Sequence, residues 1–181
     1  MKAYLLAAKY SFFIMLVCSL VFMLNLFLTT NLNQWGIVPR SAEHLSGILF
    51  APFLHASWSH LFSNFIPFII LGALIGLQGL KRFCLLFLFY IMSTGALVWL
   101  FARGNSVHIG MSGVIYAFWG YLIVYGIVRK RLLNIIISLL TLFIYGGLVS
   151  GMLPITPGIS FEGHLLGALV GALTGYYLAK R

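Results

Sequence analysis

The chain contains no aspartate, and its only acids are Glu43 and Glu162. An aspartyl dyad, a Ser–His–Asp triad and an Asp-built calcium or magnesium cage are thereby excluded. Charge of either sign is scarce: Asp, Glu, Lys and Arg make up 7% of the 181 residues, where a soluble domain carries about a quarter. With 62% hydrophobic residues and a mean hydropathy of +1.07, a water-soluble globule is excluded as well. Cysteine is limited to Cys18 and Cys84. Both fall inside apolar runs, as small core residues do, and not as a disulfide or metal pair. No metal or other cofactor is expected, and there is no internal repeat or low-complexity tract.

What the chain has is apolar length. A spanning helix needs about 20 apolar residues, because it rises ~1.5 Å per residue across a hydrocarbon core of ~30 Å. Six runs reach or approach that length: 10–30, 59–80, 83–101, 112–128, 132–152 and 164–179. None alternates in polarity as barrel strands do. The first run is too long for a signal-peptide core, and a polar stretch, not a small-x-small cleavage site, follows it, so it is expected to remain as a helix. Lys2 and Lys9, Lys81 and Arg82, Arg129, Lys130 and Arg131, and Lys180 and Arg181 occupy alternate gaps between runs. The opposite gaps hold only Arg40, Arg103 and the two acids. The positive-inside rule then puts both termini in the cytoplasm, with the second, fourth and sixth runs descending from outside to inside. The net charge of +9 is therefore read as membrane orientation and not as nucleic-acid binding. Trp35, Trp58 and Trp99 would form an outer aromatic belt. The fold expected is an all-α membrane protein, one six-helix domain over 1–181. In the first outer loop (31–58), Ser41 would cap a short helix that rests Leu45, Ile48 and Leu49 in the interface. The fifth loop (152–163), with Pro154, Pro157 and Gly158, should be irregular and mobile.

Three of these runs carry a polar residue at one depth. Asn64 lies 17 residues before Lys81, Ser112 lies 17 before Arg129, and His164 lies 16 before Lys180. Each would sit about 25 Å above the cytoplasmic boundary. His60 is one turn from Asn64 on the same helix face. A serine hydroxyl becomes a nucleophile when an imidazole takes its proton, so these residue types point to acyl transfer. Ser112, in Gly110-Met111-Ser112-Gly113, opens a helix whose free N–H groups could stabilise an oxyanion, with His60 and Asn64 adding donors. Gly110 and Gly113 permit a tight turn and a close approach. The non-helical stretch before Ser112 must dip to membrane depth, which is tolerated only beside protein or a wet cavity. Gly167, Gly171 and Gly175 lie on or beside the His164 face and match Gly113, Ala117 and Gly120, so close contact of these two helices would unite Ser112 with His164. Tyr116 would stack on the His164 ring.

Plainer readings stand beside each feature. Gly-x-Ser-Gly recurs by chance in Gly-rich membrane helices, glycine rows often only pack helices, and Asn64 alone could be interhelical glue. His108, four residues before Ser112, is a rival base from the loop. Glu162 points away from His164 and is no triad acid. His55 is expected to be structural, bonding loop 1 backbone, and His44 to be solvated.

The residues resemble the rhomboid family of intramembrane serine proteases over about 41–179. The likeness rests on Ala51-Pro-Phe-Leu-His55 followed by His60-Leu-Phe-Ser-Asn64, on Gly110-Met-Ser112-Gly113 with Tyr116, and on Gly163-His164-Leu-Leu-Gly167-Ala-Leu-Val-Gly171. It implies a Ser112–His164 dyad without an acid and an oxyanion site from the Ser112 N–H, His60 and Asn64. It also implies a substrate that is itself a membrane helix, cut near its outer end, with a gate at the fifth span and a flexible cap in the fifth loop. Many members carry Trp-Arg in loop 1 where this chain has Ser46-Gly47. The chain is expected to be a minimal core in a bacterial inner membrane, with transmembrane-helix substrates and lipids as partners and no nucleic acid; its oligomeric state is undefined. A non-catalytic helix-binding relative would lack the Ser or the His, and both are present. A transporter would show inverted repeats or charges within the spans, and neither is visible.

Overall fold

In a medium without water, backbone polar groups must pair within their own segment, and long apolar runs of this kind are driven into helices. The computed structural model describes residues 2–156 and 158–181; Pro157, expected in the fifth loop, lies outside the described residues. Among the described residues eight α-helices follow in order: α1 (Ala3–Phe27), α2 (Gly47–Phe50), α3 (Trp58–Gly76), α4 (Leu80–Phe101), α5 (Ser112–Arg129), α6 (Leu132–Tyr145), α7 (Leu148–Gly151) and α8 (Phe161–Lys180). Short 3-10 turns occupy Leu32–Trp35, Ala42–His44 and Ala51–Phe53 in the first loop. Among the described residues the extended structure consists of one antiparallel bridge, Ile37 with His108.

Four helices, α1, α3, α4 and α5, are long and apolar enough to cross a membrane. The other two expected spans depart for different reasons. The run 132–152 breaks at Gly146–Gly147 into α6 and α7, and the 14 residues of α6 reach only about 21 Å as a helix. Helix α8 has 20 residues, but Glu162, His164 and its glycines dilute its apolarity. The first run begins earlier than expected, at Ala3, because Lys9 is accommodated with its ammonium over the Phe13 ring at 5.7 Å.

Helix α5 is the hub. It packs along its length on α8, with α3, α4 and α6 around it, and α1 packs against α3. Phe68 and Phe118 stack in the core at 5.6 Å and 8°. Large apolar side chains also point outward, Phe143 being 87% and Leu132 75% exposed, which suits a lipid-facing surface. The α5–α8 seam is made by small residues: Gly167 rests on the Gly113 carbonyl, Gly171 on that of Ala117, and Gly120 on that of Ala168. A methyl added at Gly171 would lie 2.7 Å from the Ala117 carbonyl carbon and closer still to its oxygen.

Loop 1 docks on the end of α4. The Arg40 backbone N–H donates to the Trp99 carbonyl at 2.9 Å, and its guanidinium donates to the Ala102 carbonyl at 2.8 Å. The Trp99 indole donates to the Ser41 carbonyl at 2.9 Å, so Trp99 is a docking residue and not a free member of a belt; Trp35 and Trp58 remain exposed. Ser41 does not cap the following turn with its side chain. Its hydroxyl instead meets His44 Nδ1 at 2.9 Å, which engages a histidine expected to be solvated. Leu45 and Leu49 are exposed as expected, while Ile48 turns inward against Gly95. Gly47, at the Ser46–Gly47 departure, packs on the Gly36 carbonyl.

Candidate active site

The segment leading to Ser112 is non-helical, and its backbone groups find partners in loop 1. His108 exchanges both backbone hydrogen bonds with Ile37 (2.8 and 2.9 Å), and the Gly110 N–H donates to the Ala51 carbonyl at 2.8 Å. Gly110 has φ 109°, and a Cβ there would lie 2.5 Å from His60 Nε2. Both the backbone angle and the closeness of that ring therefore demand glycine. Ser112 follows as the first residue of α5.

His164 sits in the first turn of α8, whose N-cap Ser160 accepts from the Gly163 N–H at 3.3 Å. The α5–α8 seam brings His164 Nε2 to 2.8 Å from Ser112 Oγ. On its other edge, His164 Nδ1 lies 2.9 Å from the Gly151 carbonyl. A carbonyl can only accept, so Nδ1 carries the hydrogen and Nε2 presents its lone pair to the Ser112 hydroxyl. Tyr116 stacks on the imidazole at 4.1 Å and 8°, and its hydroxyl donates to the Leu148 carbonyl at 2.8 Å. Two main-chain carbonyls of α7 thus hold the Tyr116–His164 stack in place. Nothing in the sequence pattern marks Gly151, since its contribution is a backbone oxygen. Ser160 did carry a signal, a serine just ahead of an apolar run.

A cavity of about 670 Å³ opens over the pair and is lined by His60, Asn64, Ser112, Tyr116 and His164 among others. His60 and Asn64 therefore face the same space as Ser112, although neither is hydrogen-bonded to it. The Asn64 amide donates to the His60 carbonyl at 2.7 Å, leaving its second N–H free. The rival base His108 is not at the pair: its ring nitrogens are taken by Ser106 Oγ at 2.9 Å and Ser160 Oγ at 2.6 Å. Glu162 accepts from the Arg103 backbone N–H at 3.2 Å and pairs with the Arg103 side chain at 3.6 Å, which leaves it serving the loop.

His55 is 1% exposed, and neither ring nitrogen has a hydrogen-bond partner. The expected tie from its ring to loop 1 is reduced to a contact with the Phe53 backbone that falls short of full hydrogen-bond geometry; its backbone carbonyl also accepts from Asn33 at 3.4 Å, and its ring meets the edge of His60 at 4.9 Å. Burial, with His60 beside it, pushes the imidazole down from 6.5 to about 4. Between those values the unfolded chain binds a proton here that the folded protein refuses, so stability falls as pH falls through that window. At pH 5 the loss is about 2 kcal/mol. His55→Phe is expected to show a smaller drop in Tm than the parent between pH 7.5 and 5 by scanning fluorimetry.

The rhomboid domain family profile matches residues 42–181. The chain therefore belongs to the rhomboid family, and with its apolar helices it is an integral membrane protein. Uncharacterised proteins of Mycobacterium bovis and of Mycobacterium tuberculosis (strain ATCC 25618 / H37Rv) are each 37% identical to it over 158 residues, 83% of this chain and 66% of theirs. One of Mycobacterium leprae is 38% identical over 157 residues, 82% of this chain and 62% of that protein. The chain spans just under two thirds of the length of these curated relatives.

Proposed function

We propose that the protein is a serine endopeptidase that hydrolyses a peptide bond in or near the outer end of a substrate transmembrane helix, with Ser112 as nucleophile and His164 as base. The observation that carries this reading is the 2.8 Å contact between Ser112 Oγ and His164 Nε2, in the tautomer that the Gly151 carbonyl selects. Ser112 Oγ bonds to the scissile carbonyl carbon while its proton passes to Nε2. The resulting oxyanion is stabilised by the Ser112 N–H with His60 and Asn64. Collapse breaks the C–N bond, and the amine leaves with the proton from Nε2. Water then attacks the acyl-enzyme, His164 again takes a proton, and the new carboxyl product and free Ser112 are released. The imidazolium formed in each half is supported by the Gly151 carbonyl and the Tyr116 face, in the place where triad enzymes use a carboxylate.

The same reading assigns six membrane crossings with both termini in the cytoplasm of a bacterial cell, α6–α7 and α8 completing the two crossings that apolar length alone does not secure. The cavity then opens toward the outer face, and membrane-helix proteins and lipids are the partners.

The reading is tested by reconstituting the protein in liposomes with a fluorogenic transmembrane-helix substrate and by labelling with a fluorophosphonate. Cleavage, with labelling at Ser112, is the expected result; a folded protein inert to both would refute the reading. Asn64→Ala is expected to lower kcat by about 10²-fold with KM little changed in the same assay, because its donor matters only once the oxyanion forms.

A further inference from the structure

A second Ser–His contact lies beside the first. His108 is 4% exposed, and its imidazole bridges Ser106 Oγ at 2.9 Å and Ser160 Oγ at 2.6 Å. One set of proton directions satisfies this chain. Ser106 donates to the Arg103 carbonyl at 3.0 Å, so its oxygen must accept from His108 Nε2–H. Ser160 accepts from the Gly163 N–H at 3.3 Å, and its own hydrogen is free to donate to His108 Nδ1. A neutral, Nε2-protonated imidazole satisfies every member. The backbone of the same residue is paired with Ile37 in loop 1.

His108 thus ties loop 1 and the segment leading to Ser112 to the residue that starts α8. The carbonyl of that residue, Ser160, accepts from the His164 N–H at 3.2 Å. We propose that His108 is a positioning residue for the Ser112–His164 pair, acting through Ser160 to hold the first turn of α8 in register with the start of α5. The proposal rests on the protease reading above. Arg103 and Glu162, themselves paired, are the charged groups facing the ring; burial, joined by the Arg103 charge, outweighs the Glu162 carboxylate and the Arg103 backbone carbonyl and holds the imidazole below its ordinary range, which keeps it in the neutral form the chain of hydrogen bonds needs.

Glutamine at 108 offers one donor and one acceptor, as the neutral ring does; phenylalanine fills the space and offers neither. The test compares His108→Gln, His108→Phe, Ser160→Ala and the His108→Phe/Ser160→Ala double variant in liposomes with a fluorogenic transmembrane-helix substrate. A displacement of the base by about 1 Å is enough for a roughly 10- to 100-fold loss. A loss of that order in kcat, with KM unchanged, is expected for His108→Phe and for Ser160→Ala. His108→Gln should stay within about threefold of the parent, and the double variant should be no worse than Ser160→Ala alone, because Ser160→Ala, which also removes the Gly163 cap, has already cut the connection that His108→Phe breaks. Parental kcat in Ser160→Ala or His108→Phe, an equal loss in His108→Gln, or multiplying losses in the double variant would each overturn the proposal. Should His108→Phe fail to fold, the Ser160→Ala and His108→Gln results decide alone. Ser112→Ala runs as the control: cleavage there defeats the protease reading itself, whereas an inactive Ser112→Ala with a fully active Ser160→Ala defeats only the positioning role.

Discussion

Ser112→Ala is expected to reduce kcat by about 10⁴-fold or more, with substrate affinity nearly intact. The hydroxyl is the atom that would form the covalent bond, and among the described residues no other hydroxyl is hydrogen-bonded to the His164 ring; the Tyr116 hydroxyl is committed to Leu148. His164→Ala should cost a similar factor, since the Ser112 proton then has no acceptor. The double variant should be no slower than either single, because two groups that act in one proton transfer are lost together. If His108 were the base, His164→Ala would keep much of the rate and His108→Gln would lose it. Turnover of a reconstituted membrane-helix substrate separates these outcomes, and folding of each variant is checked by its melting curve.

Gly171→Leu is expected to have the next largest effect, although residue 171 lies two helical turns from His164 and lines no part of the cavity. The backbones of α5 and α8 are in contact there, with the Ala117 carbonyl filling the space a side chain would need. That carbonyl cannot swing aside as a flexible side chain would, so the helices must part. A separation of 1 Å at the catalytic end costs about 10²-fold in rate, and overpacking adds ~1–3 kcal/mol of destabilisation. The expected readout is therefore a combined loss of turnover and of melting temperature. Leu173→Phe, on the exposed side of the same helix, should change neither, which separates the contact between helices from the helix itself.

That Ser112, His164 and Asn64 would face one space could be inferred from the chain, because helical rise is regular and each lies a similar number of residues before a basic pair or cluster. Their spacing put Ser112 and His164 at a common depth, and glycines four apart indicated which helices approach closely enough to join them. The extent of the fifth run could not be read in the same way. Residues 132–152 carry no charge, and their few polar residues (Asn134, Ser138, Thr141, Ser150) lie on both sides of the break, so hydropathy carries no mark of it; the Gly146–Gly147 pair was the trace it left. Loop 1 was less open to inference still. Its contacts, such as the Arg40 N–H with the Trp99 carbonyl and Ile37 with His108, join residues distant in sequence through main-chain atoms, which have no residue-specific signature. For His55 the residue type predicted a ring bonded to loop 1 backbone; what forms is a contact with Phe53 short of full hydrogen-bond geometry, with the ring packed against His60.

The acceptor that holds His164 in its working tautomer is the main-chain oxygen of Gly151, an atom that every amino acid at that position would supply. On the protease reading, an alanine at 151 would not report that oxygen alone, because its Cβ would fall 3.1 Å from His164 Nδ1 and closer still to the Tyr116 hydroxyl, so that loss of the acceptor could not be told from displacement of the stack. Only chemistry on the chain itself, such as an ester in place of the amide linking Gly151 to Met152, would weaken that oxygen and expose what it contributes.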